Sequence, residues 1–381
     1  GWLSITNADN RLFGTGAIDF AGDASVHMVG GVAALIGAKM VGYRGQYSPP
    51  NAKETNKPRF QQVSGKWIVN DLPASSGLLA CLGCFILWTG WYGFNCGSVI
   101  AIYKQTNTAG RVAINTTLAA GTASIGAILY GRVERRNSEE KYALNDAING
   151  VLAGLVAITG PCAVVEPWAA AVIGLVGSVA YRGGSRLLLH PKIMIDDPVE
   201  AVPVHLCCGT WGLLAVGIFA KNKYIEETFG VSGEEFNGII YGQGRLFACQ
   251  IIVILVVFAW TAFWSGLIFS IFVYVDRNHR GKELIFLEKG EHIDKTGFGA
   301  SAVNVVIDDE DEQEMDEEVG RRQPNKSDES VALPGVGNTS RERKSVRSGS
   351  TSSPNTSATK IKPAAAYSSE DSSASDSDVH I

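Results

Sequence analysis

The chain has 381 residues, of which 46% are hydrophobic, and a formal net charge of −5 at pH 7. Its mean hydropathy of +0.09 would suit a soluble protein, but five stretches of 19 to 32 residues and two of 15 carry no charge. A helix needs ~20 apolar residues to cross a hydrocarbon core about 30 Å thick. The sequence therefore excludes an ordinary soluble protein, and most of its acidic charge lies in the polar region 276–381.

The chain starts at Gly1, and residues 1–16 lack the basic segment and apolar core of a signal peptide. We therefore expect the sequence to be a fragment that lacks its beginning. The charge-free stretches predict seven membrane-spanning helices, at about 17–40, 75–103, 111–131, 144–161, 167–182, 200–220 and 248–275. The predicted fold is an all-α integral membrane protein whose transmembrane domain covers 1–275.

Lys and Arg are divided unevenly between alternate loops. The loops 39–70, 132–141 and 182–192 are rich in both residues, whereas the loops between them carry few. Basic residues favour the cytoplasmic side of a membrane. These three loops and the C-terminus are therefore predicted to be cytoplasmic.

Glycine is frequent inside the predicted spans. It recurs at short intervals at Gly121, Gly126, Gly131, Gly150, Gly154, Gly174 and Gly177. Small residues let helix backbones approach closely in lipid, where no hydrophobic drive packs helices together. The pattern predicts a compact helix bundle.

Two segments pair an aspartate with a histidine at the entrance of a span. Asp19 precedes His27 by eight residues, and Asp197 precedes His205 by eight. On an α-helix this is a little over two turns, which would place each Asp on the face of its His, about 12 Å nearer one membrane surface. Because the two spans enter the membrane from opposite sides, the segments predict an inverted-topology repeat with a site near the midplane.

A histidine inside a membrane is costly unless it faces a pathway or a partner, although a single buried His is more often a packing residue. The paired positions of His27 and His205 favour a functional role. Two interpretations remain open: a His pair that lines a pore, and two axial ligands of a haem. Tightly packed, glycine-rich helices disfavour the haem, and no cofactor is expected. Cys81 and Cys84 form a C-x-x-C inside an apolar helix, where packing is favoured over a metal site, so no metal is expected.

An aromatic cluster occupies residues 88–98, near the outer end of the second span. Aromatic side chains at a membrane interface commonly act as anchors. Several aromatic faces beside a Ser hydroxyl can also bind a small cation by cation–π attraction and hydrogen bonding. The cluster alone leaves both interpretations open.

The polar C-terminal region divides into a juxtamembrane segment, 276–303, and an acidic, Ser-rich tail, 304–381, whose composition predicts disorder. Basic residues just before Ser345 are typical of a kinase site, although such short strings also arise by chance. The final Val379-His380-Ile381 would fit a PDZ-like groove that captures a C-terminal carboxylate, although an ordinary chain end is the more common case.

Four segments together resemble the ammonium transporter family in residues, order and spacing. They are Asp19-Phe20-Ala21-Gly22 with Val26-His27, Trp91-Tyr92-Gly93-Phe94-Asn95 with Gly97-Ser98, Asn149-Gly150 with Gly154 and Thr159, and Asp196-Asp197-Pro198 with Val204-His205. The resemblance covers residues 1 to about 300. It implies an eleven-helix ammonium transporter fold with an inverted repeat, assembled as a homotrimer with one pore per subunit. The seven predicted spans would then be its fifth to eleventh helices.

The resemblance also implies an outer ammonium-binding site. Asp19 matches a buried carboxylate that supports this site, near the carbonyl group of Ala21. Trp91 and Ser98 match the family's positions in the second half of the fold, where the Ser hydroxyl binds the recruited ammonium ion. Asp197 matches the counterpart of Asp19 in the other repeat.

The same resemblance implies a pore. Phe94 matches one of two stacked phenylalanines that gate it, and His27 and His205 match its twin histidines. An ammonium ion would lose its proton outside, and ammonia would then pass the two rings, whose nitrogens hydrogen-bond each other and can relay the proton. Hydrated K⁺ would be rejected because it has no proton to lose.

The predicted function is transport of ammonium, ammonia and methylammonium across the lipid bilayer of the plasma membrane, without a nucleic-acid partner. An enzyme is not expected, since the sequence has no recognisable nucleophile, metal cluster or nucleotide loop. Two alternatives are an ammonium sensor that signals through its tail with little flux and a Rhesus-type gas channel. The segment from Trp91 to Ser98 argues against the gas channel because it suits a site that recruits a cation.

Overall fold

A computed structural model describes residues 3–7, 9–42, 59–69, 76–136 and 142–278. The chain divides into two units, Gly1–Val306 and Ile307–Ile381, and the second lies wholly outside the described residues. The predictions for the disordered tail, for Ser345 and for the terminal carboxylate also fall outside them, as does the juxtamembrane segment beyond Asn278.

Helices dominate the described part of the chain. The α-helices are α1 (Val29–Val41), α2 (Gly77–Gly97), α3 (Thr106–Glu134), α4 (Leu144–Thr159), α5 (Pro167–Leu189), α6 (Cys208–Phe219), α7 (Asn222–Phe229) and α8 (Arg245–Asn278). Two π-helices, Asp23–Met28 and Val202–Cys207, run directly into α1 and α6. Single turns of 3₁₀-helix occur at Leu12–Gly14, Glu234–Phe236 and Ile239–Tyr241.

All seven predicted spans are helical. Within the described ranges, five helices are long and apolar enough to cross a bilayer, namely Asp23–Val41, Gly77–Gly97, Thr106–Glu134, Val202–Phe219 and Arg245–Val275. The other two spans are α4, with 16 residues, and α5, with 23, whose second half carries Arg182 and Arg186. The predicted start of the first span at residue 17 is wrong: its helix begins at Asp23, because Gly22 adopts a left-handed conformation with φ of 112°.

Helices α3, α4 and α5 pack backbone against backbone through glycines. A Cβ atom on Gly154 of α4 would lie 2.3 Å from the carbonyl oxygen of Ala119 in α3, and one on Gly174 of α5 would lie 2.2 Å from the same oxygen. The predicted close packing through small residues is therefore confirmed in these three helices. Gly121 is an exception, since a Cβ there would meet no atom within 4 Å.

Charged side chains tie the same three helices together at one end. Asp146 of α4 pairs with Arg135, just after α3, and with Arg182 of α5, whose Nη1 lies 3.1 Å from Asp146 Oδ1. Arg182 also pairs with Glu134 of α3. The C-terminal ends of α3 and α5 therefore meet at the end of the bundle where α4 begins, which agrees with the prediction that the basic segments 132–141 and 182–192 lie on one side.

The opposite end is joined by the loops that carry few basic residues. Arg111 donates from Nε to the carbonyl oxygen of Ala163 over 2.9 Å and from Nη1 to Glu227 Oε2 over 2.7 Å. The amide of Lys221 donates to the carbonyl oxygen of Val164 over 3.0 Å. Helix α7, which contains Glu227, was not predicted because its eight residues are amphipathic and too short to cross a membrane.

A small β-hairpin interrupts the helical pattern. Its strands are β1 (Phe60–Val63) and β2 (Lys66–Val69), paired antiparallel from Phe60 opposite Val69 to Val63 opposite Lys66. Arg59, just before β1, lies 3.6 Å from Asp196 in an ion pair between Nε and Oδ1. The hairpin falls in the predicted basic loop 39–70, and it was not predicted because its strands, FQQV and KWIV, show no alternation of apolar and polar residues.

Close packing at Gly154 can be tested with Gly154→Ala. We expect the added methyl group to clash with α3 and to lower the free energy of unfolding by about 1–3 kcal/mol, as overpacking does. Thermal unfolding in detergent, followed by loss of monodisperse protein, measures the effect. Gly121→Ala in α3 is the matched control and should be neutral or slightly stabilising; equal behaviour of the two variants would contradict the packing.

Candidate functional site

The two aspartate–histidine segments have the same local structure. His27 lies in the π-helix before α1, and His205 lies in the π-helix before α6. Asp19 Oδ2 accepts a hydrogen bond from the amide of Ala24 over 3.1 Å, and Asp197 Oδ2 accepts one from the amide of Val202 over 2.6 Å. In both segments the amide donor lies five residues after the aspartate, so the two segments repeat each other in hydrogen bonding as well as in sequence.

This geometry corrects the predicted run of α-helix from each Asp to its His. Each aspartate lies before its helix and caps the first amides, as Asp19 also does at Ser25 over 3.1 Å. A π-helix inserts an extra residue into a turn and is frequent at functional sites. The predicted offset of about 12 Å between Asp and His, which assumed α-helical rise, therefore does not apply.

The two histidine rings meet inside the bundle. Their Nδ1 atoms lie 3.2 Å apart, the ring centroids are 5.3 Å apart, and the planes are inclined by 15°. One Nδ1 must donate and the other accept, so the tautomers of His27 and His205 are linked. Nitrogens in direct hydrogen-bonding contact leave no space for an iron between the rings, which excludes the predicted alternative of a bis-histidine haem at this position.

Aromatic rings enclose His27. Trp91 stacks on it at 5.2 Å between centroids with the planes inclined by 5°, and Phe94 lies at 5.7 Å with an inclination of 50°. Trp91 and Phe94 also contact each other at 5.8 Å. Because Trp91 is buried against the histidine, it is part of the site and does not act as an interface anchor.

A threonine fixes Trp91 in place. Trp91 Nε1 donates to Thr159 Oγ1 over 3.0 Å, and Thr159 Oγ1 donates to the carbonyl oxygen of Leu155 over 2.8 Å. The carbonyl oxygen of Thr159 accepts from the amide of Ala21 over 3.2 Å. The last turn of α4 thus links the segment of His27 to the tryptophan stacked on it.

The structure brings together four of the predicted site residues, His27, His205, Trp91 and Phe94. Ser98 stands one turn beyond Phe94, where its hydroxyl donates to the Phe94 carbonyl oxygen over 2.8 Å. Asp19, Ala21 and Asp197 lie at the starts of the two His-bearing segments. Within the described residues, none of these three forms a hydrogen bond with a histidine ring.

Two carboxylates beside the histidine segments were not predicted as site residues from the sequence. Glu200 precedes the second π-helix and accepts from Asn149 Nδ2 over 2.5 Å, from Ser185 Oγ over 2.5 Å, and from the Tyr181 hydroxyl. Asp23 begins the first π-helix and is fully buried. Both lie inside the predicted segments, but only tertiary contacts distinguish them from surface acids.

Glu166 and Lys221 form an ion pair at the start of α5. Lys221 Nζ donates to Glu166 Oε1, and Trp168 Nε1 donates to Glu166 Oε2 over 2.7 Å. The hydrogen bond from Lys221 lowers the pKa of Glu166 below its usual value. Such a carboxylate stabilises the fold above its ordinary pKa and loses that contribution as the pH falls through the lowered value. The contribution is small because the pair is near the surface.

The sequence profile of the Ammonium Transporter Family matches residues 1–276. Ammonium transporter 1 member 2 from Arabidopsis thaliana is 41% identical over 281 residues, covering 71% of this chain and 50% of the relative. Ammonium transporter 1 member 4 from the same species is 40% identical over 285 residues, covering 71% and 52%. The chain spans about half the length of these curated relatives.

Solved structures share the fold. The protein named Sensor Amt Protein has a TM-score of 0.53 at 29% identity, covering 70% of this chain and 57% of its own. Mep2 from Candida albicans has a TM-score of 0.56 at 25% identity, covering 76% of this chain and 56% of its own. The all-α membrane fold that the sequence predicts is therefore confirmed.

The hydrogen bond between Trp91 and Thr159 can be tested with Thr159→Val, which keeps the side-chain shape and removes the acceptor. We expect the free energy of unfolding to fall by about 1–3 kcal/mol, the usual cost of a buried donor left without a partner. Thermal unfolding followed by tryptophan fluorescence measures the change. Thr159→Ser keeps the hydroxyl and should retain most of the stability; a Thr159→Val variant as stable as wild type would contradict the contact.

Proposed function

Because the chain belongs to the Ammonium Transporter Family and is a multi-pass integral membrane protein, we propose that it takes part in transport of ammonium or ammonia, and of methylammonium, along a path that passes His27 and His205. The observation that carries the proposal is the contact between the two rings, 3.2 Å apart at Nδ1, within helices that cross the bilayer. Paired histidines inside a membrane are costly unless they face a pathway.

The proposed recruitment step uses the end of α2. Ser98 lies one turn from Phe94, and its hydroxyl oxygen keeps a free lone pair while it donates to the Phe94 carbonyl group. Aromatic faces attract a cation, and the carboxylate of Asp19 adds negative charge near the entrance. An ammonium ion held there keeps part of its hydrogen bonding, which avoids the cost of complete dehydration.

The proposed crossing step separates the proton from ammonia. The ion releases its proton to water on the outer side before it reaches the apolar region, and neutral ammonia passes Phe94, His27 and His205. A hydrogen shared between the two Nδ1 atoms leaves one Nε2 as a donor and the other as an acceptor, so the rings hydrogen-bond to ammonia from either side. K⁺ cannot lose a proton and is rejected.

The proposal also covers the membrane, the assembly and the orientation of the protein. We expect the protein to work in the plasma membrane as a homotrimer. Its C-terminal tail is expected in the cytoplasm, because the basic loops favour the cytoplasmic side. Ser345 would be available there to a kinase, and the terminal Ile381 to a PDZ-like partner. The similarity to relatives named as transporters supports the absence of enzyme activity.

A second candidate function is an ammonium sensor. It is favoured by one observation, the likeness in fold and sequence to the protein named Sensor Amt Protein, at 29% identity. A sensor would keep the binding site and signal through its tail with little flux. Flux per subunit separates the two functions.

We expect the full-length protein in oocytes to take up labelled methylammonium, and His27→Asp and His205→Glu to reduce uptake about tenfold, equivalent to about 1.4 kcal/mol in the barrier. A carboxylate in the pore attracts cations, so we also expect K⁺ current in these variants. Uptake and current are recorded together. Matching uptake and current in wild type would show transport of the ion, and uptake without current would show passage of ammonia.

His190→Ala is the matched control, because His190 lies just after α5 and away from the ring pair. It should transport as wild type does. Wild-type protein present at the cell surface without any uptake would refute transport and favour the sensor. Normal uptake in both His27→Asp and His205→Glu would refute the proposed path.

A further inference from the structure

Asp23 is an acidic residue buried where a negative charge would be strongly destabilising. Its side chain is wholly inaccessible to solvent, and it begins the π-helix that carries His27. Oδ2 accepts a hydrogen bond from the amide of Gly160 over 2.7 Å. Oδ1 is also buried and has no hydrogen-bond partner. One oxygen of this carboxyl group is therefore tied to the end of α4, and the other lacks a donor.

Two glycines, Gly212 and Gly160, lie against this side chain, and a third, Gly209, lies against the main chain of Asp23. A Cβ atom on Gly212 of α6 would lie 2.0 Å from Asp23 Oδ2, and one on Gly160 would lie 2.8 Å from it. A Cβ on Gly209 of α6 would lie 3.1 Å from the Asp23 carbonyl oxygen and 3.5 Å from His27 Cβ. Any larger residue at Gly212 would displace the carboxyl group, so the cavity is shaped for it.

The surroundings of Asp23 disfavour a negative charge. In the part of the chain that the structure describes, Asp23 forms no ion pair. The ionisable groups that act on it or that it acts on are Asp19 on its own segment, Cys162 after α4 and Cys208 at the start of α6. All three are acids or thiols, and none offsets a carboxylate. An ionised carboxyl group with one amide donor would be far costlier here than a neutral one.

A carbonyl oxygen that lacks a helical donor lies on the same side of α6 as the carboxyl group. The carbonyl oxygen of Ala157 would lie 2.6 Å from a Cβ on Gly212, so it faces the same glycine as Asp23 Oδ2. Four residues after Ala157 stands Pro161, which has no amide hydrogen to donate to that carbonyl group. A protonated Asp23 has a hydrogen to donate towards this carbonyl group while its Oδ2 accepts from Gly160, whereas an ionised Asp23 has none.

The second His-bearing segment lacks this acid. Asp19 and Asp197 occupy equivalent positions, and four residues after Asp197 stands Ala201, where the first segment has Asp23. Both segments form the π-helix and the aspartate cap. Asp23 is therefore not needed to form a π-helix, and its contacts point instead to the end of α4.

We propose that Asp23 is held as a neutral, protonated carboxylic acid and that it positions His27 by clamping the last turn of α4 against the first π-helix. The clamp consists of Gly160 N–H to Asp23 Oδ2, with Phe20 N–H to the Gly160 carbonyl and Ala21 N–H to the Thr159 carbonyl, both over 3.2 Å. The same turn holds Trp91 against His27 through Thr159. Its effect on transport rests on the proposed function; its protonation does not.

Infrared spectroscopy of the full-length protein tests the protonation directly. Wild type should show the carbonyl band of a protonated carboxylic acid, shifted in heavy water, and this band should be absent from Asp23→Asn and Asp23→Ser. Asp146→Asn is the matched control, because Asp146 is buried but paired with two arginines; the band should persist in it. Wild-type spectra that match both Asp23 variants in this region would mean that Asp23 is ionised and would overturn the proposal.

Transport separates a positioning role from a proton relay. Asp23→Asn keeps a neutral donor and acceptor and should transport methylammonium within about twofold of wild type with the same pH profile, whereas Asp23→Ala should lose about tenfold. A folded Asp23→Asn protein that loses transport or changes its pH profile, or a wild-type band that fades near neutral pH, would instead indicate a relay and overturn the proposal. If wild type transports nothing, the proposed function fails, while the infrared result still decides the state of Asp23.

Discussion

The hydrogen bond between the rings of His27 and His205 constrains everything built around it. Two imidazoles whose Nδ1 atoms lie 3.2 Å apart hold one hydrogen between them, so the tautomer of each ring determines that of the other. Hydrocarbon supplies no water to replace a partner that moves away. Both rings must therefore be held to within a few tenths of an ångström by protein alone, and the helices that carry them must be rigid at that level.

The local structure meets this requirement in two ways. Asp19 and Asp197 cap the π-helices that present the rings, each at the amide five residues on, which satisfies donors that a helix start leaves open. Trp91 then covers one face of His27, and its indole is fixed by Thr159 on α4. Helix α4 in turn is locked to its neighbours by direct backbone contact at Gly154, so the position of one ring depends on the packing of three helices.

The sequence predicts the helices and the histidine pair well, because both depend on patterns within a single segment. Runs without charge reveal the spans, and the equal spacing from Asp19 to His27 and from Asp197 to His205 reveals the repeat. The predictions that fail are those that depend on backbone conformation or on contacts between residues far apart in the sequence. Left-handed Gly22 shortens the first span, and π-helical turns replace the expected α-helix. No local pattern identifies Thr159 as the acceptor for a tryptophan 68 residues away.

The repeat is symmetric in backbone but not in chemistry, and this asymmetry bears on how the two rings share a hydrogen. His27 is enclosed by Trp91 and Phe94, and its Nε2 is buried with no hydrogen-bond partner in the described residues. His205 is only partly buried. A ring that is stacked on one face and clamped through its own segment cannot turn. An exchange of tautomer must change both rings at once, since they share one hydrogen. Movement of a ring that follows the passage of a substrate falls to His205, which makes the two histidines unequal partners.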